Sequence, residues 1–318
     1  MPVKQSVIIG IHGLARKPQK PTLTKWWKAA ICEGLNYNTR KYKADNIAPS
    51  QLNFSMVYWN DLMGEDRILT LQQLKQSKDH YQPAIKGDIQ SYKPSTKDRM
   101  RLNMRINMRD LVGDITEVIV KLTGGKASRK VMEEKLKDLY AYYNDENIRT
   151  SLQECLKSEL EKHKDKRIML ISHSMGTIIA YDVLCQLVSE GEELTIEHFI
   201  TMGSPLGLPF IKKHIKLPRG KNKPAVPDNV KKWTNFSDMS DPVCTDPCLE
   251  DDYKNNKKGI GIVDQIVLND WPHHHLSHKS YGYLRTPEVS KAIGTFIGMK
   301  TNFSGSTKNR EHKNDVKI

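Results

Sequence analysis

The sequence predicts an α/β fold with a mostly parallel central sheet, flanking helices and a large helical insertion. At residues 1–60 and again at 166–299, runs of β-branched residues alternate with segments whose apolar residues recur at helical spacing. Residues 61–165 are instead charged and helix-forming, with almost no strand candidates. We therefore predict a core built from the first two ranges and a helical insertion, or cap, over 61–165.

The elements of the first half follow from local patterns. Residues 6–11 are rich in Val and Ile and end in His12-Gly13, which indicates a buried strand that enters a tight loop. Residues 52–59 are again strand-like. In the insertion, Met104 to Leu122 form one apolar stripe that ends at Gly124-Gly125. Such a stripe is typical of core packing, and a lid that faces lipid is the alternative.

The second half of the core begins with a short apolar strand at residues 167–171. A turn with serine and glycine follows, and an apolar helix covers 177–188. Three further strands and a last helix are predicted at 198–202, 232–236, 262–268 and 287–298. Residues 300–318 are polar, and we predict a disordered tail there.

Composition excludes several classes of protein. The chain has 318 residues, five cysteines and a formal net charge of +13. Its longest apolar runs are far shorter than the roughly 20 residues of a membrane-spanning helix. The first residues lack the features of a secretory signal, and an odd number of cysteines disfavours a disulfide framework, so we expect a cytoplasmic protein. Cys244 and Cys248 have no second pair at zinc-site spacing, and we predict no metal.

The strongest functional signal is the pentapeptide Ser172-His173-Ser174-Met175-Gly176. It lies between a predicted buried strand and a predicted helix, as a nucleophile elbow requires. Small residues two positions before and after the central serine leave room for a strained backbone, and the helix directs its positive end at Ser174. Ser174 is therefore the candidate nucleophile.

This pentapeptide, together with His12-Gly13-Leu14 after the first strand, resembles the α/β-hydrolase superfamily, in particular its lipase and esterase branch. The resemblance covers residues 6–59 and 166–299, and Ser172 stands where the family pattern usually begins with glycine. The resemblance implies an oxyanion hole built from two backbone N–H groups. The donors would be Leu14 and Met175, with His12, Gly13 and Gly176 as supporting residues.

The resemblance also implies the chain order nucleophile, acid, histidine. Asp241 follows a predicted strand and is our choice for the acid, with Asp238 as the alternative. We choose His278 as the base because it stands just before the last predicted helix, where related enzymes place it. His273–His275 could instead bind metal, but adjacent histidines seldom converge on one ion.

These residue types predict a serine hydrolase that cleaves a small-molecule or lipid ester through an acyl-enzyme, without a cofactor. An amidase or a thioesterase with the same three residues stays open as an alternative. So does a catalytically silent hydrolase fold that serves as a binding module. The sequence predicts no oligomeric state.

The positive charge is concentrated in two segments. Residues 1–60 carry nine basic and two acidic residues, and residues 206–236 carry eight and one. Both segments are expected at the carboxyl edge of the sheet, where ligands bind in such folds. We therefore expect an anionic substrate or peripheral contact with an anionic membrane, with a merely solubilising surface as the alternative. Nucleic acid is rejected as a partner because no recognition motif is present. The candidate rim residues are Arg16, Lys17, Lys212, Lys213 and Lys216.

Overall fold

The computed structural model describes nine stretches of the chain. They comprise residues 4–42, 46–76, 80–84, 89–93, 129–215, 223–241, 243–244, 246–269 and 278–299. Several predicted features lie outside the described residues: the Met104 to Leu122 stripe, Lys216, His273–His275 and the tail at 300–318.

Within the described residues, six strands form one sheet in the order β2-β1-β3-β4-β5-β6. Every neighbouring pair is parallel, which confirms the predicted α/β class. Because all the strands run in one direction, the residues that follow them meet at one edge although they are distant in sequence. The strands are β1 (Ser6–Ile11), β2 (Phe54–Val57), β3 (Arg167–His173), β4 (Ile196–Met202), β5 (Trp233–Asp238) and β6 (Ile262–Val267).

Helices of the described residues connect and cover these strands. Short 3-10 turns at Pro49–Gln51, Asn60–Met63 and Glu65–Arg67 precede and follow β2. The helices are α1 (Lys20–Tyr42), α2 (Leu71–Gln76), α3 (Arg129–Asn144), α4 (Glu146–Glu161), α5 (Met175–Ser189), α6 (Pro209–His214), α7 (Ser280–Arg285) and α8 (Pro287–Phe296).

Two apolar layers bury both faces of the central strands of the sheet. Helices α1, α7 and α8 cover one face, where Met169 and Ile171 of β3 point. Helices α4 and α5 cover the other face, where Ile168 and Leu170 of the same strand point. Successive side chains of a strand point to opposite faces, so a strand covered on both sides must be apolar at every position. This explains why residues 168–171 of β3 form a continuous apolar run.

The described residues of the segment predicted as an insertion contact helices on both faces of the sheet. Near its start, the Tyr81 hydroxyl donates to Glu33 of α1, whose carboxylate also pairs with Arg285 of α7 at 2.9 Å. Near its end, α4 packs against α5 and its first turn is capped by the Asp145 carboxylate. The division of the chain into a core and a 61–165 insertion stays a prediction.

None of the helices described here combines the length and the apolar character that crossing a membrane requires.

We predict that Leu170→Ala destabilises the protein far more than Val263→Ala. Leu170 is fully buried in the central strand β3, whereas Val263 is 49% exposed on the edge strand β6. Leu170→Ala should cost about 2–5 kcal/mol of unfolding free energy, and Val263→Ala less than about 1 kcal/mol. Urea unfolding of both variants measures the two losses. Equal losses would contradict the difference in burial between these two side chains.

Candidate active site

Ser174 occupies a sharp turn between β3 and α5. Its backbone φ of 55° and ψ of −130° lie in a region that non-glycine residues rarely adopt. Its N–H donates to the Met202 carbonyl at 3.1 Å, which ties the turn to the end of β4. Helix α5 begins at the next residue, so the positive end of the helix dipole lies at the serine.

Two glycines let the end of β1 pack directly against this turn. A Cβ on Gly13 would lie 2.4 Å from the Cβ of Ser174. A Cβ on Gly176 would lie 2.6 Å from the carbonyl oxygen of His12. Neither position has room for a side chain, so both glycines are required for the close approach of the two loops.

The structure brings Ser174, His278 and Asp241 together. The serine Oγ lies 2.9 Å from His278 Nε2. The Nδ1 of the same ring lies 2.8 Å from Asp241 Oδ2 and 3.0 Å from Oδ1. Because a carboxylate only accepts, we assign the ring proton to Nδ1, which leaves Nε2 to accept the serine proton. This is the order of contacts that general-base activation of a serine needs.

Asp238, the alternative acid, lies close by but bonds elsewhere. Its carboxylate accepts the N–H of Ser240 and the N–H of Asn269, each at 2.5 Å. Burial raises the pKa of Asp238. Of the two candidates, therefore, Asp241 is the one that contacts the imidazole of His278.

The loop after β1 is held by its histidine. His12 Nδ1 donates to the Gly13 carbonyl at 2.9 Å, and Nε2 accepts the Trp59 N–H at 3.3 Å. Burial lowers the pKa of His12 to about 3, so the ring is neutral near pH 7. The Gly13 carbonyl belongs to the same peptide group as the Leu14 N–H, so this bond polarises one predicted oxyanion donor. The other, the Met175 N–H, opens α5.

Two residues of this site were not singled out from the sequence. His173 Nε2 donates to the backbone carbonyl of His278 at 2.9 Å, and burial holds the pKa of His173 well below its usual value. Gly203 has a φ of 55°, and a Cβ there would lie 2.9 Å from Asp241 Oδ2. A glycine directly after β4 predicts a turn, but nothing in the sequence predicts that Gly203 lies against Asp241.

The predicted rim residues have different surroundings. Lys17 Nζ donates to the Leu14 carbonyl beside the oxyanion loop. Lys212 pairs with Asp252 at 2.7 Å, and Arg16 lies 4.0 Å from Asp66. A further basic residue, Lys279, follows His278, and burial beside the charge of Lys17 lowers the pKa of Lys279 to about 7. The remaining described member of the predicted set, Lys213, is exposed at the end of α6.

Side chains that bind metal do not cluster in the described part of the chain, where no three or more of His, Cys, Asp and Glu are placed to hold one ion. All five cysteines lie in that part, and none of them forms a disulfide. Cys244 is fully buried next to the Tyr283 hydroxyl, with its sulfur 3.7 Å away.

We predict that Gly13→Ala slows the reaction of Ser174 with a fluorophosphonate by about 10²-fold or more, because the new methyl group must displace the oxyanion loop from the serine. Gly294→Ala in α8 is the matched control, since the nearest atom to its Cβ is 3.5 Å away. The control should react at the wild-type rate. Labelling kinetics measured by mass spectrometry, with melting curves for both variants, separate lost reactivity from lost folding. Wild-type labelling of Gly13→Ala would contradict the packing described here.

Comparison with known proteins identifies the fold. Residues 141–226 match the family described as lecithin:cholesterol acyltransferase, a range that contains β3, Ser174 and β4. No curated protein sequence matches the chain. A solved structure, an uncharacterized protein from Pseudomonas aeruginosa, is similar at 12% identity with a TM-score of 0.23. That similarity covers 73% of this chain, which spans 35% of the other. The family match and the six-stranded parallel sheet give the conclusion that this chain has an α/β-hydrolase fold.

Proposed function

We propose that the protein is a serine hydrolase that cleaves carboxylic esters of lipids through an acyl-enzyme. The observation that carries the proposal is the continuous chain of hydrogen bonds from Asp241 through His278 to Ser174. The family match supports a lipid acyltransferase or an esterase-like hydrolase in general. A hydroxyl group is a poor nucleophile until a base accepts its proton, and this arrangement supplies the base.

In the first half of the proposed reaction, Ser174 Oγ attacks the ester carbonyl while His278 Nε2 takes its proton. Asp241 holds the ring and stabilises the imidazolium. The negative charge that develops on the carbonyl oxygen is stabilised by the N–H groups of Leu14 and Met175, a contribution on the order of 3 kcal/mol for each donor. His278 then gives the proton to the departing alkoxide, and the acyl group stays on the serine.

In the second half, a water molecule loses a proton to His278 and attacks the acyl-enzyme. Collapse of this second intermediate releases the carboxylic acid, and the proton returns from His278 to Ser174. The match to an acyltransferase family is also compatible with a variant of this step in which the hydroxyl of an alcohol replaces water as the acceptor. Amide and thioester substrates would react through the same two steps. The remaining alternative, a catalytically silent binding module, would carry out neither step.

We predict that Ser174→Ala and His278→Ala each abolish ester hydrolysis while the fold is kept. Members of a serine triad act as a unit, so each loss could approach six orders of magnitude in kcat. Hydrolysis of p-nitrophenyl esters of graded acyl length, measured beside a panel of phospholipids, tests this and ranks the substrates. Turnover above about one per cent of wild type in Ser174→Ala would assign the nucleophile elsewhere.

The two acids form a matched pair within this test. Asp241→Asn should lower kcat by about 10⁴-fold, because the amide favours the wrong tautomer of His278. Asp238→Asn should lower it much less, because its carboxylate bonds to backbone N–H groups. An equal or larger loss in Asp238→Asn would transfer the acid role to Asp238.

The basic residues suggest the kind of ester. Lys17 lies beside the oxyanion loop, and Lys213 is exposed at the end of α6. We propose that these charges attract an anionic lipid, or the anionic surface of a membrane, in the cytoplasm. Lys212 contributes less of this attraction, because Asp252 pairs with it.

We predict that activity on an anionic lipid ester is sensitive to salt and to the charge of Lys213. Exposed charges are screened over about 8 Å at physiological salt, so added salt should raise KM for the anionic ester and leave a neutral short-chain ester unchanged. Lys213→Glu should have the same effect, with KM raised about fivefold and kcat kept. Lys25→Glu, an exposed lysine on α1, is the control for the same change of charge. If KM changed equally for both substrates, or equally in both variants, the positive charge would serve solubility and not substrate binding.

A further inference from the structure

Asp241 is fully buried, and three groups donate hydrogen bonds to its carboxylate. His278 Nδ1 reaches both oxygens, and the Val243 N–H donates to Oδ1 at 2.8 Å. The third donor is the hydroxyl of Tyr283, which lies 2.7 Å from Oδ2. A buried carboxylate is stable only when such donors replace the water that it has lost.

The Tyr283 hydroxyl has a defined role on each side. Burial and the nearby charge of Asp241 raise the pKa of Tyr283 well above its usual value, so the oxygen keeps its proton. Because a carboxylate only accepts, the hydroxyl donates to Asp241, and its oxygen accepts the Asp238 N–H at 3.0 Å. The tyrosine therefore bridges the end of β5 and the proposed acid.

The position of Tyr283 in the chain adds to this geometry. It lies on α7, five residues after His278, and is itself fully buried. One short segment thus carries both the proposed base and a group that holds the acid against it. Rotation of the carboxylate away from the ring would break the bond to the tyrosine as well as the bond to the histidine.

We propose that Tyr283 is a positioning residue of this site, which fixes the Asp241 carboxylate and limits how firmly it holds the imidazole proton. The inference rests on the proposed function, since it concerns the same three residues. A donor on Oδ2 takes up part of the carboxylate charge, which weakens the attraction of that charge for an imidazolium. Without the donor, the acid-side midpoint of the pH–rate profile should move to higher pH, and the enzyme should be active over a narrower pH range.

Other titrating groups near the ring do not produce the same effect. Burial keeps His173 and Cys244 neutral, with the pKa of the histidine lowered and that of the thiol raised. Asp238 keeps its two backbone donors. Lys279 has a pKa of about 7, within the range of the experiment, but it is present in every variant compared below and contributes equally to each profile.

The test compares wild type with Tyr283→Phe, which removes only the hydroxyl. The measurements are kcat and KM for p-nitrophenyl butyrate and the rate of Ser174 labelling by a fluorophosphonate, from about pH 5 to about pH 9. We expect kcat to fall about tenfold or more with KM within about twofold, and the pH of half-maximal rate on the acid side to rise by about half a unit. Tyr281→Phe is the matched control, because Tyr281 is a buried tyrosine on the same helix that packs against Tyr81 and Trp26.

A double-mutant cycle tests whether Tyr283 acts through the acid. In an Asp241→Asn background, Tyr283→Phe should change kcat by less than about twofold, because the charged partner is already gone. An undiminished effect in that background would overturn the proposal. The proposal would also be overturned if the single variant Tyr283→Phe kept the acid-side midpoint of wild type, or if its pH–rate profile matched that of Tyr281→Phe.

A second substitution keeps the test decisive should Tyr283→Phe fail to fold. Placing 3-fluorotyrosine at position 283 preserves the ring and strengthens the donor, so the acid-side midpoint should move to lower pH. An unmoved midpoint would overturn the proposal. The labelling arm separates the two levels of inference: an unreactive Ser174 in wild type overturns the proposed function and this inference together, whereas a reactive Ser174 indifferent to position 283 overturns this inference alone.

Discussion

The close contact between the end of β1 and the turn after β3 is the constraint on which the site depends. Gly13 lies against Ser174, and Gly176 lies against the His12 carbonyl, at distances that exclude any side chain. This contact holds the serine in its strained conformation and places the loop after β1 beside it. The strain is sustained because β3 is buried on both faces and cannot relax. A rigid sheet thus supports a locally unfavourable turn.

Parallel strands explain how distant parts of the chain meet at this turn. Ser174 follows β3, Gly203 follows β4 and Asp241 follows β5, and all three strands end at the same edge. His278 comes later in the chain than β6, and the ring Nε2 of His173 donates a hydrogen bond to its backbone carbonyl. The site is therefore assembled from several loops, because neighbouring parallel strands end at the same edge of the sheet.

Much of this arrangement could be predicted from the sequence, because it follows from local patterns and chain order. The apolar run of β3 and the pentapeptide around Ser174 are local, and Asp241 and His278 follow in the order that the resemblance implies. The contacts of Tyr283 and His173 could not be predicted, since each depends on a neighbour more than 40 residues away. Counting charges likewise located the basic segments but not their partners, such as Asp252 beside Lys212.

The placement of base and tyrosine on one late segment has a consequence for the protein during its synthesis. His278 lies 104 residues after Ser174 in the chain, and Tyr283 follows five residues later on α7. While the chain emerges from the ribosome, β1, β3 and the turn at Ser174 can assemble first. At that stage the proposed base, His278, has not yet been synthesised. Docking of the segment from His278 to Arg285 onto α1 would then bring the proposed base and Tyr283 into place together. If the proposed roles are correct, a chain that has not yet reached His278 would lack the base, and Ser174 would become reactive only after this segment has docked.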